Sequence, residues 1–424
     1  MTPTPVPSGA SPGEGQPPAE DALGMLARMR RGTRYQPAPG APDAAADDDD
    51  PNGCLPKLRL LLDTGFDLAG SSMLSLGASS ALYELEMARA AAGRACEPGA
   101  PQAVHLVDLD ADALKVAADG FAELHVPDFR AVRATADGFA FERAYDVCFF
   151  LSLYHHYDRL GGDYRTRGAR VLREIGRHCQ TLFFETGQTD DTVPGSERWP
   201  AMLEMAAHES PAAWLEARIP EMTGYDSFAR LGTNPRTRRH LYAFWRARPV
   251  DAAPAFAAGV FPAARPAGTA GETAVVAVDR EPGGGLAWSA PAGGSSAPLG
   301  EGVDAVKGRS AFIDCRFTGA DVPAEERSAG IGEVVAALAG VDPRSYVLLL
   351  GHTGALRDVP DGVNAAYRVR CGDEADVPGR LRTAAFSGFG MACVDERLRT
   401  PAVRELAAGL GLRLVFASDG GIRT

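Results

Sequence analysis

Several things are scarce in this chain, and each scarcity narrows what it can do. Its 424 residues include seven cysteines, scattered and without a C-x-x-C pair. That argues against a disulfide framework or a structural zinc site and for a reducing cytosol. No apolar run approaches the ~18 residues that span a bilayer, and the opening "MTPTPVPSGASPGEG" lacks the basic start and apolar core of a secretion signal. A cytoplasmic location without a membrane span is the expectation. Basic residues are outnumbered, 43 against 55 acidic, for a formal net charge of −12. This balance weighs against a nucleic-acid partner, whose surface demands a basic footprint. Glycine is sparse at one informative place. "SMLSLGASSALY" (72–83) reads as a buried strand entering a helix, with a single glycine and several small residues between them. The stretch "GASSA" is open to two readings, a cofactor turn at a helix N-terminus or an empty strand-helix corner.

Hydrophobic residues make up 45% of the chain, enough to fill more than one core. Residues 1–53 are rich in Pro, Gly, Ala and Asp and are expected to be a disordered tail. Only "AEDALGMLARMRRGTRY" (19–35) has helical spacing there. A folded domain is expected over 54–248, a Pro/Gly/Ala-rich linker with one short strand at "TAVVAV" over 249–308, and a second domain over 309–424.

In the first domain, apolar segments fall at "SMLSLG", "AVHLVDLD", "FRAVRATA", "YDVCFFLS", "TLFFET", "YDSFARLG" and "RHLYAFWR". Amphipathic helical runs separate the early ones, including "ALYELEMARAAAGR", "ADALKVAADGFAEL" and "DYRTRGARVLREIGRHC". Strands joined by helical crossovers make an open, doubly wound α/β sheet, whose ligands bind at the carboxyl ends of the strands beside the switch point. The second strand ends in Asp108, placed either to accept two ribose hydroxyls or to cap the next helix, a role Asp110 suits as well. The third ends near Asp137-Gly138, which suits an acceptor for a purine amino group or a plain Asp-Gly turn. The fourth passes through Leu151 into "LSLYHHY", and the fifth ends at Glu185.

In this order and spacing, "MLSLGASSALYELEMA", "HLVDLDADALKVA", "ATADGF" and "YDVCFFLSLYHHY" resemble the four motifs of the class I S-adenosylmethionine-dependent methyltransferases. The pair "TGYDSFARLG" and "RRHLYAFWR" is similar to that family's closing antiparallel hairpin. The resemblance, over about 55–247, implies a Rossmann-like methyltransferase sheet and S-adenosylmethionine as cofactor. It implies that Gly77, Ala78 and Ser79 approach the cofactor's methionine part and that Asp108, with Leu109 after it, holds the ribose. Asp137, with Gly138, would meet the adenine amino group, and Leu151 would close the pocket from the fourth strand. The chain departs from the family at Ser75, where an acid is usual, and at Ser79 and Ala81, where glycines are usual.

Methyl transfer to a hydroxyl needs a base near neutral pH, a task for histidine. His156, and after it His155, is the expected base, with Glu185 to orient it or to bind a substrate hydroxyl. A His-His-Glu metal site is a further reading of these residues, but without another evident ligand no metal is expected. "SERWPAMLEMAAHESPAAWLEARIP" reads as a helical cover over the acceptor, whose Trp199, Trp214 and His208 could touch substrate or fill core. The arrangement is similar to methyltransferase domains of bacterial surface-polysaccharide enzymes and, more distantly, to a family that modifies transfer-RNA wobble uridines. In the second domain, "SAFIDCRF" and "GIGEVVAALAG" resemble the opening of GT-B glycosyltransferases through Asp314, Arg316, Gly330, Ile331 and Gly332, and the resemblance implies that Gly330 and Gly332 open a helix near a sugar donor's phosphates. That would make it a smaller, half GT-B-like α/β domain, not expected to transfer glycosyl groups alone. The expectation is therefore a methyltransferase acting on a sugar hydroxyl of a glycan or lipid-linked precursor. A glycosyltransferase or polysaccharide-assembly protein is the expected partner. A non-catalytic scaffold and an RNA methyltransferase are the alternatives.

Overall fold

The computed structural model describes Gln36, Asp50, 52–93, 99–157, 164–189 and 205–247, then 260–262, 274–281, 285–289, 297–299, 306, 310–319, 321–341, 345–361, 363–370, 374–418 and 421–423. Two sheets carry the fold. The first consists of β1 (Ser72–Leu76), β2 (Ala103–Asp108), β3 (Asp128–Arg133), β4 (Tyr145–Leu151), β5 (Cys179–Glu185), β6 (Ser227–Thr233) and β7 (His240–Trp245). Their order in space is β3-β2-β1-β4-β5-β7-β6. Strands β1 to β5 run parallel, and β7 inserts antiparallel between β5 and β6. Every residue of β1 and β4 is buried, as befits central strands covered on both faces. All seven segments read from the sequence form strands, and the closing hairpin is present.

Helices α1 (Cys54–Leu62), α2 (Leu82–Ala92), α3 (Ala111–Ala122), α4 (Tyr164–His178) and α5 (Pro211–Thr223) accompany this sheet. Their ends follow local chemistry. The Asp50 carboxylate accepts from the backbone of Cys54 and Leu55 at 2.8 Å, so the end of the expected tail caps α1. Ser210 caps α5, Pro211 opens it, and left-handed Gly224 closes it. The helical island at 19–35 lies outside the described residues, as does Trp199. Trp214 of α5 is core, at 1% exposure.

The stretch 249–308, read as a linker, contributes four strands to the second sheet. They are β8 (Val260–Pro262), β9 (Ala274–Arg280), β10 (Leu286–Ser289) and β11 (Ala297–Pro298). The "TAVVAV" strand is β9, and it pairs in parallel with β12 (Ser310–Cys315). The remaining strands are β13 (Ser345–Leu350), β14 (Asn364–Arg368), β15 (Met391–Asp395), β16 (Arg413–Ser418) and β17 (Gly421–Arg423). The order β11-β10-β9-β12-β13-β14-β15-β16-β17-β8 keeps its parallel strands in chain sequence. A doubly wound half reverses direction at a switch point, and this sheet has no such reversal among β9 and β12 to β16. The Gly-Ile-Gly motif also lies elsewhere than the resemblance implied. Gly330, Ile331 and Gly332 sit well inside α6 (Ala324–Val341), not at a helix N-terminus. Gly330 is there for packing, since a Cβ on it would stand 2.5 Å from Phe317 Cε2. The half GT-B-like reading is therefore not carried by the structure.

The two lobes share one continuous core. Helices α7 (Val377–Phe386) and α8 (Pro401–Gly409) belong to the second, and α7 lies against the first. Arg380 forms a buried ion pair with Asp67, whose backbone N–H donates to Thr383 Oγ1 at 2.9 Å. Thr181 Oγ1 donates to the Phe386 carbonyl at 2.6 Å, and Phe66 stacks on Phe386 with ring centroids 6.1 Å apart. Arg357 pairs with Asp146, and His352 Nε2 donates to the Ala69 carbonyl at 2.8 Å. Gly65 and Gly379 meet so closely that a Cβ on Gly65 would lie 2.7 Å from Gly379 Cα. These contacts fall at the amino ends of β1, β4 and β5, opposite the edge where a ligand would bind. No helix among the described residues is long and apolar enough to cross a membrane.

Candidate functional site

The carboxyl edge of the first sheet reverses its strand order between β1 and β4, which is where open sheets of this kind bind ligands. The turn leaving β1 has left-handed backbone at Gly77 (φ 79°), Ser79 (φ 51°) and Ala81 (φ 54°). The sequence places a glycine at only the first of these, so Ser79 and Ala81 carry strain that glycine would not. Gly77 and Ala78 donate their backbone N–H groups to the Val107 carbonyl at 2.8 and 3.2 Å, tying the turn to β2.

Asp108, at the end of β2, faces this turn. Its Oδ2 accepts from Ser79 N at 2.7 Å and its Oδ1 from Asp110 N at 2.8 Å. Each carboxylate oxygen keeps a lone pair for a ligand hydroxyl. Burial raises the Asp108 pKa, against the pull of those backbone donors. The cap of α3 is Asp110, whose side chain accepts from Asp112 N and Ala113 N. Of the readings left open for the "D-L-D" stretch, the helix cap thus falls to Asp110. Leu109 between them is half-buried, and its carbonyl accepts from Arg133 Nε at 3.2 Å.

Sequence reasoning missed Glu84. Ser75 on β1 donates its hydroxyl to Glu84 Oε1 at 2.5 Å, so α2 supplies a carboxyl beside the position where the resemblance expects one on the strand. Glu84 is 2% exposed, and its Oε2 takes no hydrogen bond among the described residues. Burial raises its pKa to about 7, although Ser75 and Lys57 pull the other way. The i+9 spacing from Ser75 across a strand-turn-helix corner follows no simple helix or strand period, so no local pattern exposes the pair.

Asp137 lies in a short 3-10 turn after β3, with Gly138 N donating to the Thr135 carbonyl at 3.0 Å. Its Oδ2 accepts from Arg167 Nε at 2.8 Å and Arg167 Nη2 at 2.6 Å. Burial opposes the charge, but the guanidinium holds this carboxyl below the usual range. Leu151, at the end of β4, is packed into the core beside this edge.

The three candidate catalytic residues do not form one group. Glu185 is fully buried between two cations, paired with Lys57 and with Arg239 Nη1 at 3.3 Å. It also accepts from Ser152 Oγ at 2.6 Å. Burial disfavours its charge, yet Lys57 and Arg239 hold its pKa down at about 2. The carboxylate expected to orient a histidine or bind a substrate hydroxyl is thus bonded to Lys57, Ser152 and Arg239. Lys57 gave no signal in the sequence, because a lysine on the polar side of a helical pattern ordinarily faces water. His155 is instead fixed by the loop after β5. Its Nδ1 accepts from Gly187 N at 2.9 Å and lies 3.1 Å from Thr186 Oγ1. With Nδ1 accepting, the proton of a neutral ring is on Nε2. His156 is half-buried, its ring centroid 4.1 Å from that of His155.

No family model matches the chain, and no curated protein matches it. Solved structures do. The bifunctional kinase-methyltransferase WbdD is 15% identical, covering 53% of this chain and 46% of its own, with a TM-score of 0.37. A putative O-methyltransferase from Nostoc punctiforme PCC 73102 is 14% identical over 52% of this chain and 66% of its own, TM-score 0.33. The N-methyltransferase NodS from Bradyrhizobium japonicum WM9, in complex with S-adenosyl-l-homocysteine, is 11% identical over 48% of this chain and 94% of its own, TM-score 0.33. The match thus spans about half the length of the WbdD structure.

Proposed function

We propose that the first lobe is an S-adenosylmethionine-dependent methyltransferase whose acceptor is a sugar hydroxyl of a glycan or lipid-linked polysaccharide precursor. The observation that carries it is the Asp108 carboxylate bonded to the N–H of Ser79, across a turn with left-handed residues, at the switch point of this sheet. The residues fit the cofactor. Asp108 keeps acceptor capacity for ribose hydroxyls, and Gly77 and Ala78 present small backbone at the turn. Glu84 adds a buried carboxyl oxygen with no donor among the described residues. The cofactor, when bound, supplies an electrophilic sulfonium methyl.

The remaining work is positioning, water exclusion and removal of one proton. His156 takes the acceptor's hydroxyl proton in this reading. His156 is preferred to His155 because the Nδ1 of His155 already accepts from Gly187 N. The Lys57–Glu185–Arg239 group holds the ends of β5 and β7 together under the site, as a positioning element.

A transfer assay with labelled cofactor, run on glycans and bulk RNA, tests the acceptor. Label in glycan supports the reading, and label in RNA replaces it with the nucleic-acid alternative. His156→Ala should lower kcat by about 10²-fold or more with cofactor affinity unchanged. One observation favours the scaffold alternative, the capture of Asp137 by Arg167. Absence of both transfer and binding at millimolar cofactor would leave that reading.

A further inference from the structure

We propose that Glu84 is the group that receives the ammonium of the cofactor's amino-acid end, and that it selects for ligands carrying one. This rests on the cofactor reading above. Glu84 lies in the first turn of α2, the helix fed by the Gly77–Ala81 turn, and is bonded to Ser75 two residues before that turn's first left-handed position. One of its oxygens is satisfied by Ser75, and the other is buried without a donor among the described residues. A buried carboxyl oxygen left without a donor is costly, and a ligand that brings one relieves the cost. An ammonium brings three N–H donors and a charge.

The charged groups around Glu84 are engaged elsewhere or repel it. Lys57 of α1 is near enough to stabilise the charged carboxylate, but its Nζ already donates to Ser152 and Glu185. Asp108 of β2 repels it, and Cys148 of β4 is a buried thiol that feels the carboxylate.

The resting carboxyl is half protonated near neutral pH, its pKa lifted to about 7 mainly by burial. Binding an ammonium therefore expels a proton below that pH. The neutral acid plus R–NH3+ becomes carboxylate, bound ammonium and a proton taken by the buffer. The sign follows. The ligand selects the ionised form, so affinity is full above about pH 7 and falls about tenfold per unit below it.

The test uses the full chain and calorimetry with two ligands, S-adenosylhomocysteine and its desamino analogue. The wild type should prefer the amino ligand at least tenfold at pH 8. At pH 6 the amino ligand should bind about tenfold more weakly, with about one proton released, while the desamino ligand is unchanged. Glu84→Gln should bind both alike, without pH dependence, its desamino affinity within about threefold of wild type. Equal affinity of the wild type for both ligands, or a preference that survives Glu84→Gln, overturns the proposal. Should the variant fail to fold, the wild-type pH series and proton count decide alone. Failure of both ligands to bind at millimolar concentration removes the cofactor reading itself, and this proposal with it.

Discussion

The two lobes use the same vocabulary of parallel strands and crossover helices, yet a glycine motif means opposite things in them. In the first, "GASSA" has one glycine and forms a turn with three left-handed residues at a strand's carboxyl end. In the second, Gly330-Ile331-Gly332 looks more like a phosphate loop and is ordinary helix interior. Place in the fold, not glycine count, decides whether small residues make a turn or fill a helix. A turn needs positive φ at the edge where strands end; a helix uses glycine so that something else can come close. Phe317 is what comes close at Gly330.

The comparison can be broken most severely through the contact that joins the lobes. Arg380→Ala would strand Asp67 at 5% exposure without its cation, at a cost of roughly 3–5 kcal/mol. Urea unfolding should then show the lobes losing stability together in one transition. Independent transitions would mean the lobes are separate modules after all.

Within the second lobe, Gly330→Ala should cost about 1–3 kcal/mol by overpacking against Phe317, with cofactor affinity untouched. A changed affinity would return that motif to a binding role. The smallest effects come as a pair. Nothing lies within 4 Å of a Cβ on Gly332, so Gly332→Ala should stabilise α6 by about 0.5–1 kcal/mol. In the first lobe Ala81 sits at φ 54°, where glycine is at ease, so Ala81→Gly should gain about 0.5 kcal/mol net of the extra chain entropy. The two substitutions run in opposite directions between the same residue types, and thermal unfolding of each reads the contrast directly.

Much of the first sheet was legible because its strands are short apolar runs between amphipathic helices. The positions of Asp108 at the end of β2 and of the turn after β1 could be read from their order along the chain. What was hidden depends on partners far apart in sequence. Nothing near Glu185 announces Lys57, and nothing near Ser75 announces Glu84, because neither pair lies at a helix or strand period. The strands of 249–308 were hidden by the Pro and Gly interspersed with their short apolar runs, so composition read as a tether. Asp67 and Arg380, 313 residues apart, leave no local trace.

The central claim is that the turn after β1, with Asp108, holds the cofactor. Calorimetric titration of the full chain with S-adenosylhomocysteine, wild type against Asp108→Ala, tests it most directly. The account predicts saturable binding by the wild type and at least tenfold weaker binding by the variant. No binding to the wild type at millimolar ligand, or equal affinity in the two proteins, would contradict it.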